Sequence, residues 1–185
     1  MRGLSLKTYT LPAALIWSLL VSISLAWSVR SEKQEMLGNA RARAVYLIAQ
    51  IGLVREWNAR LGGVYVPVRD KIRPNPFLED PERELVTRDG RTLTRIVHAH
   101  MLRQMAEQAL ADRKSAVFHL TSLQPVRPGN IADPWEIRAL TALEKGAREY
   151  EEVVGKGERA LYRYMAPVFV DRSCLACHAR QGYSE

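Results

Sequence analysis

The run Leu11–Val29 contains no charged side chain, and it constrains where everything after it must fold. As a helix those 19 residues span about 28 Å, close to the thickness of one bilayer hydrocarbon core. Trp17 and Trp27 lie within the run, the latter where an aromatic belt would sit. Arg2 and Lys7 precede it, and Arg30 and Lys33 mark its exit. A short basic head before an apolar run favours the head in the cytoplasm and the body outside. Residues 1–10 are therefore expected in the cytoplasm, 11–29 as a transmembrane anchor, and 30–185 in the periplasm of a bacterium with a single pass through the inner membrane. The rival is a cleaved signal peptide with Ser24-Leu25-Ala26 as a poor cleavage site. Both readings export the body.

The 185 residues are enough for one domain plus appendages, with a core that needs no disulfide staples. The formal net charge of +7 does not point to nucleic acid, because the basic residues are scattered and interrupted by acidic ones at Glu79–Glu84 and Glu149–Glu152. Attraction to anionic lipid headgroups is the more natural use of that surplus.

Ser31–Leu61 reads as a long helix continuing from the anchor as a stalk, and also as a seam for a homodimer. Ala40, Ala44, Leu47, Ile48, Ile51, Val54 and Trp57 follow a helical period, with Trp57 expected in the core. Gly62-Gly63 should end it. Val64-Tyr65-Val66 reads as a strand stopped by Pro67, and residues 69–90 as a surface excursion ending in Asp89-Gly90. Leu93–Ala111 is predicted helical and Val117–Leu123 a strand. Asp133 is placed to cap a helix with Pro134 at its first position. That helix is predicted to run to about Lys156, with Trp135 in the core. Ala160–Val170 is predicted as a strand, with Pro167 marking an edge or bulge.

Only two cysteines occur, and both lie in Cys174-Leu175-Ala176-Cys177-His178. Cysteines so close cannot cross-link distant parts of a fold. The C-x-x-C-H spacing is that of haem attachment. Two thiols on one turn can bond the two vinyl-derived carbons of a porphyrin, and the next imidazole then points at the iron. Three other uses of these residues stay open: a zinc site needing a fourth ligand, a redox dithiol, and a local disulfide. Covalent haem c is the favoured one, with Cys174 and Cys177 as thioether residues and His178 as the proximal iron ligand.

For the other face of the iron the candidates are His98, His100, His119, Met101, Met105 and Met165. Met101 is preferred and His100 follows; an open five-coordinate iron is the alternative. Each of these residues also has a plain use, as a surface histidine or a methionine filling the core. Arg103 is a candidate for a haem propionate, against an ordinary surface role. Nothing resembles a Ser-His-Asp triad, a phosphate loop or a paired-carboxylate site, so hydrolase chemistry has no support.

The order of short motifs resembles the c-type haem, PAS-like periplasmic sensory family once called domain of unknown function 3365. The matching stretches are Arg55-Glu56-Trp57-Asn58-Ala59 with Gly62 to Val66, then Asp89 to Ile96 and Met101-Leu102-Arg103-Gln104. Thr121 to Pro125, Asn130 through Glu136, Tyr162 to Pro167 and Cys174 to Tyr183 complete the series, over about residues 35–183. The resemblance implies an α+β fold with a PAS-like antiparallel sheet flanked by helices, a periplasmic location and one covalent haem. Members of that family often continue past the cysteine motif with a Gly-rich segment and a last strand, and into an output module. Against that pattern the chain reads as truncated at its C-terminus. Some relatives use a cysteine on the early helix as second iron ligand, and no cysteine stands there in this chain.

These observations favour a membrane-anchored haem sensor of redox state or of a diatomic gas. The alternative is a monohaem electron-transfer cytochrome working with a redox partner protein. An enzyme such as a peroxidase would need an open iron site plus distal acid-base groups. No nucleic-acid partner is expected.

Overall fold

Apolar periodicity, glycine punctuation and one helix cap account for most of the element boundaries. The computed structural model describes residues 6–70, 72–112, 116–170, 172, 174 and 175. It is α+β: helix α1 (Leu6–Arg60), strands β1 (Val64–Pro67), β2 (Glu84–Val86) and β3 (Thr92–Ile96), helices α2 (His98–Asp112) and α3 (Pro134–Glu144), then strands β4 (Tyr150–Val154) and β5 (Leu161–Met165). The chain divides into two compact units, Met1–Val45 and Tyr46–Glu185.

In the first unit, the apolar run is exposed, with Trp17 and Trp27 among its exposed side chains. Among the described residues, α1 is the one helix long and apolar enough to serve as a membrane span or a signal sequence.

In the second unit, α1 ends where expected. Gly62 and Gly63 take φ of 69° and 99°, and the Gly63 N–H donates to the Asn58 carbonyl. A side chain at Gly63 would press on the Ile96 carbonyl at 3.1 Å, so the chain needs a glycine where it turns onto the sheet. That sheet is antiparallel with order β1-β3-β2, in the register Val64↔Ile96 and Glu84↔Thr94. Arg95 ties it to the helix end by donating to the Gly62 carbonyl at 2.6 Å and pairing with Asp80.

Leu93–Ala111 is not one helix. Its first residues form β3, because Thr92, Thr94 and Ile96 are β-branched, Thr94 and Ile96 are buried on one face, and the segment finds strands on both sides. Only from His98 does the helical period take over. The expected surface excursion contains β2, which closes on β3 through the Thr87–Arg91 turn, with Gly90 at φ 79°. Val117–Leu123 forms no strand. Its one ladder contact is the Ser122↔Ile131 bridge, and its polar groups are taken by side-chain bonds such as Thr121 Oγ1 to the Asn130 carbonyl.

Helix α3 has the expected cap, and more. Asp133 accepts from the Glu136 N–H while the Glu136 carboxyl accepts from the Asp133 N–H, each at 2.8 Å, a complete capping box. The helix stops at Glu144, well before Lys156, because Gly146 enters φ 98° and Tyr150–Val154 pairs with Leu161–Met165. Cross-strand pairing overrides the helical pattern there. The last strand correspondingly ends at Met165 and not at Val170.

Trp57 is 55% exposed, and its neighbour Asn58 takes the core position with no exposure at all. The inward stripe of α1 passes through half-buried Ile51 and Val54 to buried Asn58, and Trp57 lies one residue, about 100°, off it. Trp135 is buried as expected, along with Leu78, Ile96, Leu102 and Ala139.

Between β4 and β5, Gly155 sits at φ 89°, and a methyl group there would lie 2.5 Å from the Arg159 carbonyl oxygen. Gly155→Ala is expected to cost roughly 1–3 kcal/mol from the backbone conformation alone, with the clash adding to it. Chemical denaturation of the two proteins measures this. A change below about 0.5 kcal/mol, the size of an ordinary surface substitution, would mean that the turn rearranges without strain.

Candidate functional site

Cys174 belongs to a helical turn after β5 and is half-buried. The other two residues of the motif reading, Cys177 and His178, lie outside the described residues. The Cys174 sulfur accepts a hydrogen bond from the Arg55 guanidinium at 3.1 Å, and the same group donates to the Phe169 carbonyl at 3.4 Å. One side chain near the end of α1 thus holds the turn that carries Cys174.

Asn58 stands three residues beyond Arg55, so the two share a helix face. Its amide donates to the Ile96 carbonyl at 3.2 Å and faces the Met101 sulfur at 3.9 Å. Its own Oδ1 is buried and has no hydrogen-bond partner among the described residues. Arg55 and Asn58 thereby bring Cys174 and Met101 against the same face of α1.

His100 occupies a different sector of α2. It is 3% exposed and lies in the electrostatic range of Arg103, Glu107 and Arg127. Burial above all, with the two arginines adding to it, lowers its pKa to about 4. His119 is engaged by Glu136 and by the Gly129 carbonyl, at 2.9 and 3.2 Å. Met105 is partly exposed on α2, and Met165 lies on β5 opposite Tyr150. The Arg103 side chain is largely covered rather than a surface group, and burial lowers its pKa.

The depressed pKa of His100 makes a pH prediction. In the folded chain it releases its proton at a lower pH than the 6.5 of an ordinary histidine, so the unfolded chain binds more protons between those values. Stability contributed by neutral His100 is complete above pH 6.5 and is lost as pH falls through about 4. Conversion at 1.36 kcal/mol per pH unit gives about 3 kcal/mol at the acid end. Urea unfolding at pH 7 and pH 4 should show this loss in the parent chain and a smaller one in His100→Leu; equal losses would mean that other groups carry it.

Glu136 organises a second polar cluster. Its buried carboxyl meets His119 and, at 3.4 Å, Arg163, which also pairs with Asp133 at 2.8 Å. Partial burial works against ionisation of Asp133, but hydrogen bonds from the Glu136 N–H and from Arg163 outweigh it and hold its pKa below the ordinary value. The Arg163 guanidinium lies 4.2 Å from the Trp135 ring centre, and Tyr150 meets the same ring edge-on at 5.6 Å.

The described donors around Arg55 and Asn58 are of kinds that a haem can take up. A thiol on the C-terminal turn and a thioether on α2 flank one helix face, and an amide oxygen there has no partner. Among the described residues, no group of three or more His, Cys, Asp or Glu is arranged to hold a metal. Sequence reading assigned Arg55 and Asn58 no role of their own, although both stand in the quoted Arg55–Ala59 stretch. It also missed the Glu136 cluster, whose one local signal is an acid three residues after Asp133 and directly after Trp135.

A family model described as Tll0287-like matches residues 33–184. No curated protein and no solved structure matches the chain.

Proposed function

Because the chain belongs to the Tll0287-like family, a cytochrome-like family, we propose that it is a membrane-anchored, periplasmic c-type haem protein that senses redox state or a diatomic gas. The observation that carries this is the hydrogen bond from Arg55 to Cys174. It ties the first cysteine of the attachment motif to α1, the helix that also contains the apolar run.

In this reading Cys174 and Cys177 would hold one haem c by thioether bonds, His178 would be the proximal iron ligand, and Met101 would be the distal one with His100 second. Bound haem would supply a one-electron iron couple and an axial position that a small ligand can contest. Arg55 fixes the attachment turn against α1. Asn58 orients the Met101 side chain through its amide. A displacement of either α2 or the attachment turn is therefore felt by the same face of α1. The apolar run anchors the chain in the bacterial inner membrane, and the stalk portion of α1 is the proposed homodimer seam.

Expression with c-haem maturation factors, followed by a pyridine haemochrome spectrum and an intact mass, tests haem attachment. Spectra under dithionite, ferricyanide, CO and NO then test sensing, which fails if all four leave the spectrum unchanged. Met101→Ala should convert low-spin iron to high-spin, whereas His100→Ala should not; the reverse result would exchange their roles. The held position of the Met101 sulfur also favours a second reading, a six-coordinate electron-transfer cytochrome. Fast electron exchange with a partner cytochrome, without a response to CO or NO, would select it.

A further inference from the structure

We propose that Arg103, Arg127 and His100 form a binding site for a carboxylate group, at the place where α2 meets the loop before α3. The two guanidiniums come from different elements and, among the described residues, share one acidic neighbour, Glu107. Glu107 reaches Arg127 at 3.5 Å and Arg103 Nε at 3.7 Å, and its side chain is 59% exposed. Arg103 Nε is buried without a hydrogen bond, the Glu107 oxygen lying beyond hydrogen-bond reach. Two cations are therefore held together against one loosely placed anion.

Such an arrangement is costly, since like charges repel more strongly once partly removed from water. The chain nonetheless builds it. Gly129 leaves room for the Arg127 guanidinium, which a methyl group at that position would meet at 3.1 Å. Beside the arginines, His100 is buried to 3% exposure, and its Nδ1 has no hydrogen-bond partner among the described residues. A buried polar atom without a partner is expensive, and a bound group that supplies one recovers the cost.

The donors select the ligand. Guanidinium forks match the planar pair of oxygens of a carboxylate. Glu107 acts as the internal competitor that an incoming carboxylate displaces. That carboxylate is either a small free acid or a propionate of the haem proposed above, and the site itself rests on neither the cysteine motif nor the haem.

Calorimetric titration of the full chain with succinate at fixed ionic strength tests the proposal, in haem-loaded protein and in protein produced without maturation factors. Saturable binding in both forms, weakened at least tenfold by Arg103→Gln and by Arg127→Gln, identifies a site for a free carboxylate. Binding only in the haem-free form, with the same dependence on both arginines, identifies a propionate as the resident group. The Glu107 side chain is 59% exposed, so Glu107→Gln, with its fold checked by circular dichroism, provides a second measure: succinate should bind several-fold more tightly once the competitor is gone. The proposal is overturned if neither form binds succinate, or if binding ignores all three substitutions. Haem attachment is read separately from the haemochrome spectrum, so its failure would not be mistaken for failure of this site.

Discussion

With Cys174 and Cys177 both replaced by alanine, the chain should leave a maturation-competent host at the mass of its amino acids alone and without Soret absorption. The parent chain should be heavier by one haem. The effect is all-or-none because the thioether bonds are covalent, and no pocket contact can restore them after denaturation. Cys174→Ala alone should keep one bond through Cys177 and give a lower yield of attached haem. It also removes the acceptor of the Arg55 guanidinium at 3.1 Å, so the attachment turn should become more open to protease while α1 is unchanged. If the double variant still carried covalent haem, the attachment proposal would be wrong at its root.

Glu136→Ala should have the largest effect on stability among single polar substitutions. The side chain is nearly buried, and its loss strips partners from His119 and Arg163 and one leg of the capping box on α3. Removing one member of a buried ionic cluster costs about 3–5 kcal/mol. Arg163 keeps Asp133 and the Trp135 face, which favours the lower end. Glu136→Gln preserves shape and cap acceptor and should cost about 1–3 kcal/mol. Denaturant titration followed by tryptophan fluorescence measures both. Two variants within 0.5 kcal/mol of the parent, the range of ordinary surface changes, would show that the cluster is solvated in solution.

What could be read from the chain beforehand follows from how local each cause is. The end of α1 at Gly62-Gly63, the short β1 that stops at Pro67 and the Asp133-Pro134 start of α3 depend on neighbours within four residues, and all three were legible. The C-x-x-C-H motif is equally local. The β3 strand was hidden inside a helical pattern because Thr92–Ile96 is decided by β1, some thirty residues earlier, and by β2. The same holds for β4, whose partner lies beyond Gly155.

The site shows the same division. Cys174 announces itself through spacing, but its link to Arg55 spans 119 positions, and no pattern within a window reveals it. Asn58 was masked by Trp57. An aromatic residue near the apolar stripe looks like core, yet the amide lies on the stripe and the ring lies off it. His100 and Met101 could not be separated by sequence because they are adjacent. A helix turns them to different sectors, one toward two arginines and the other toward Asn58.

The 119 positions between Arg55 and Cys174 also set a schedule. A ribosome adding about 5–20 residues per second makes the arginine roughly 6–24 s before the thiol it will hold. For an exported domain, as proposed, assembly waits for the far side of the membrane, where the order of arrival is the same: Arg55 first and the cysteine pair last. On the proposed haem reading, the pair would be open to a haem-delivering apparatus only until Arg55 captures Cys174. Biogenesis thus becomes a race between modification and closure, and any change that slows closure should raise the yield of finished protein.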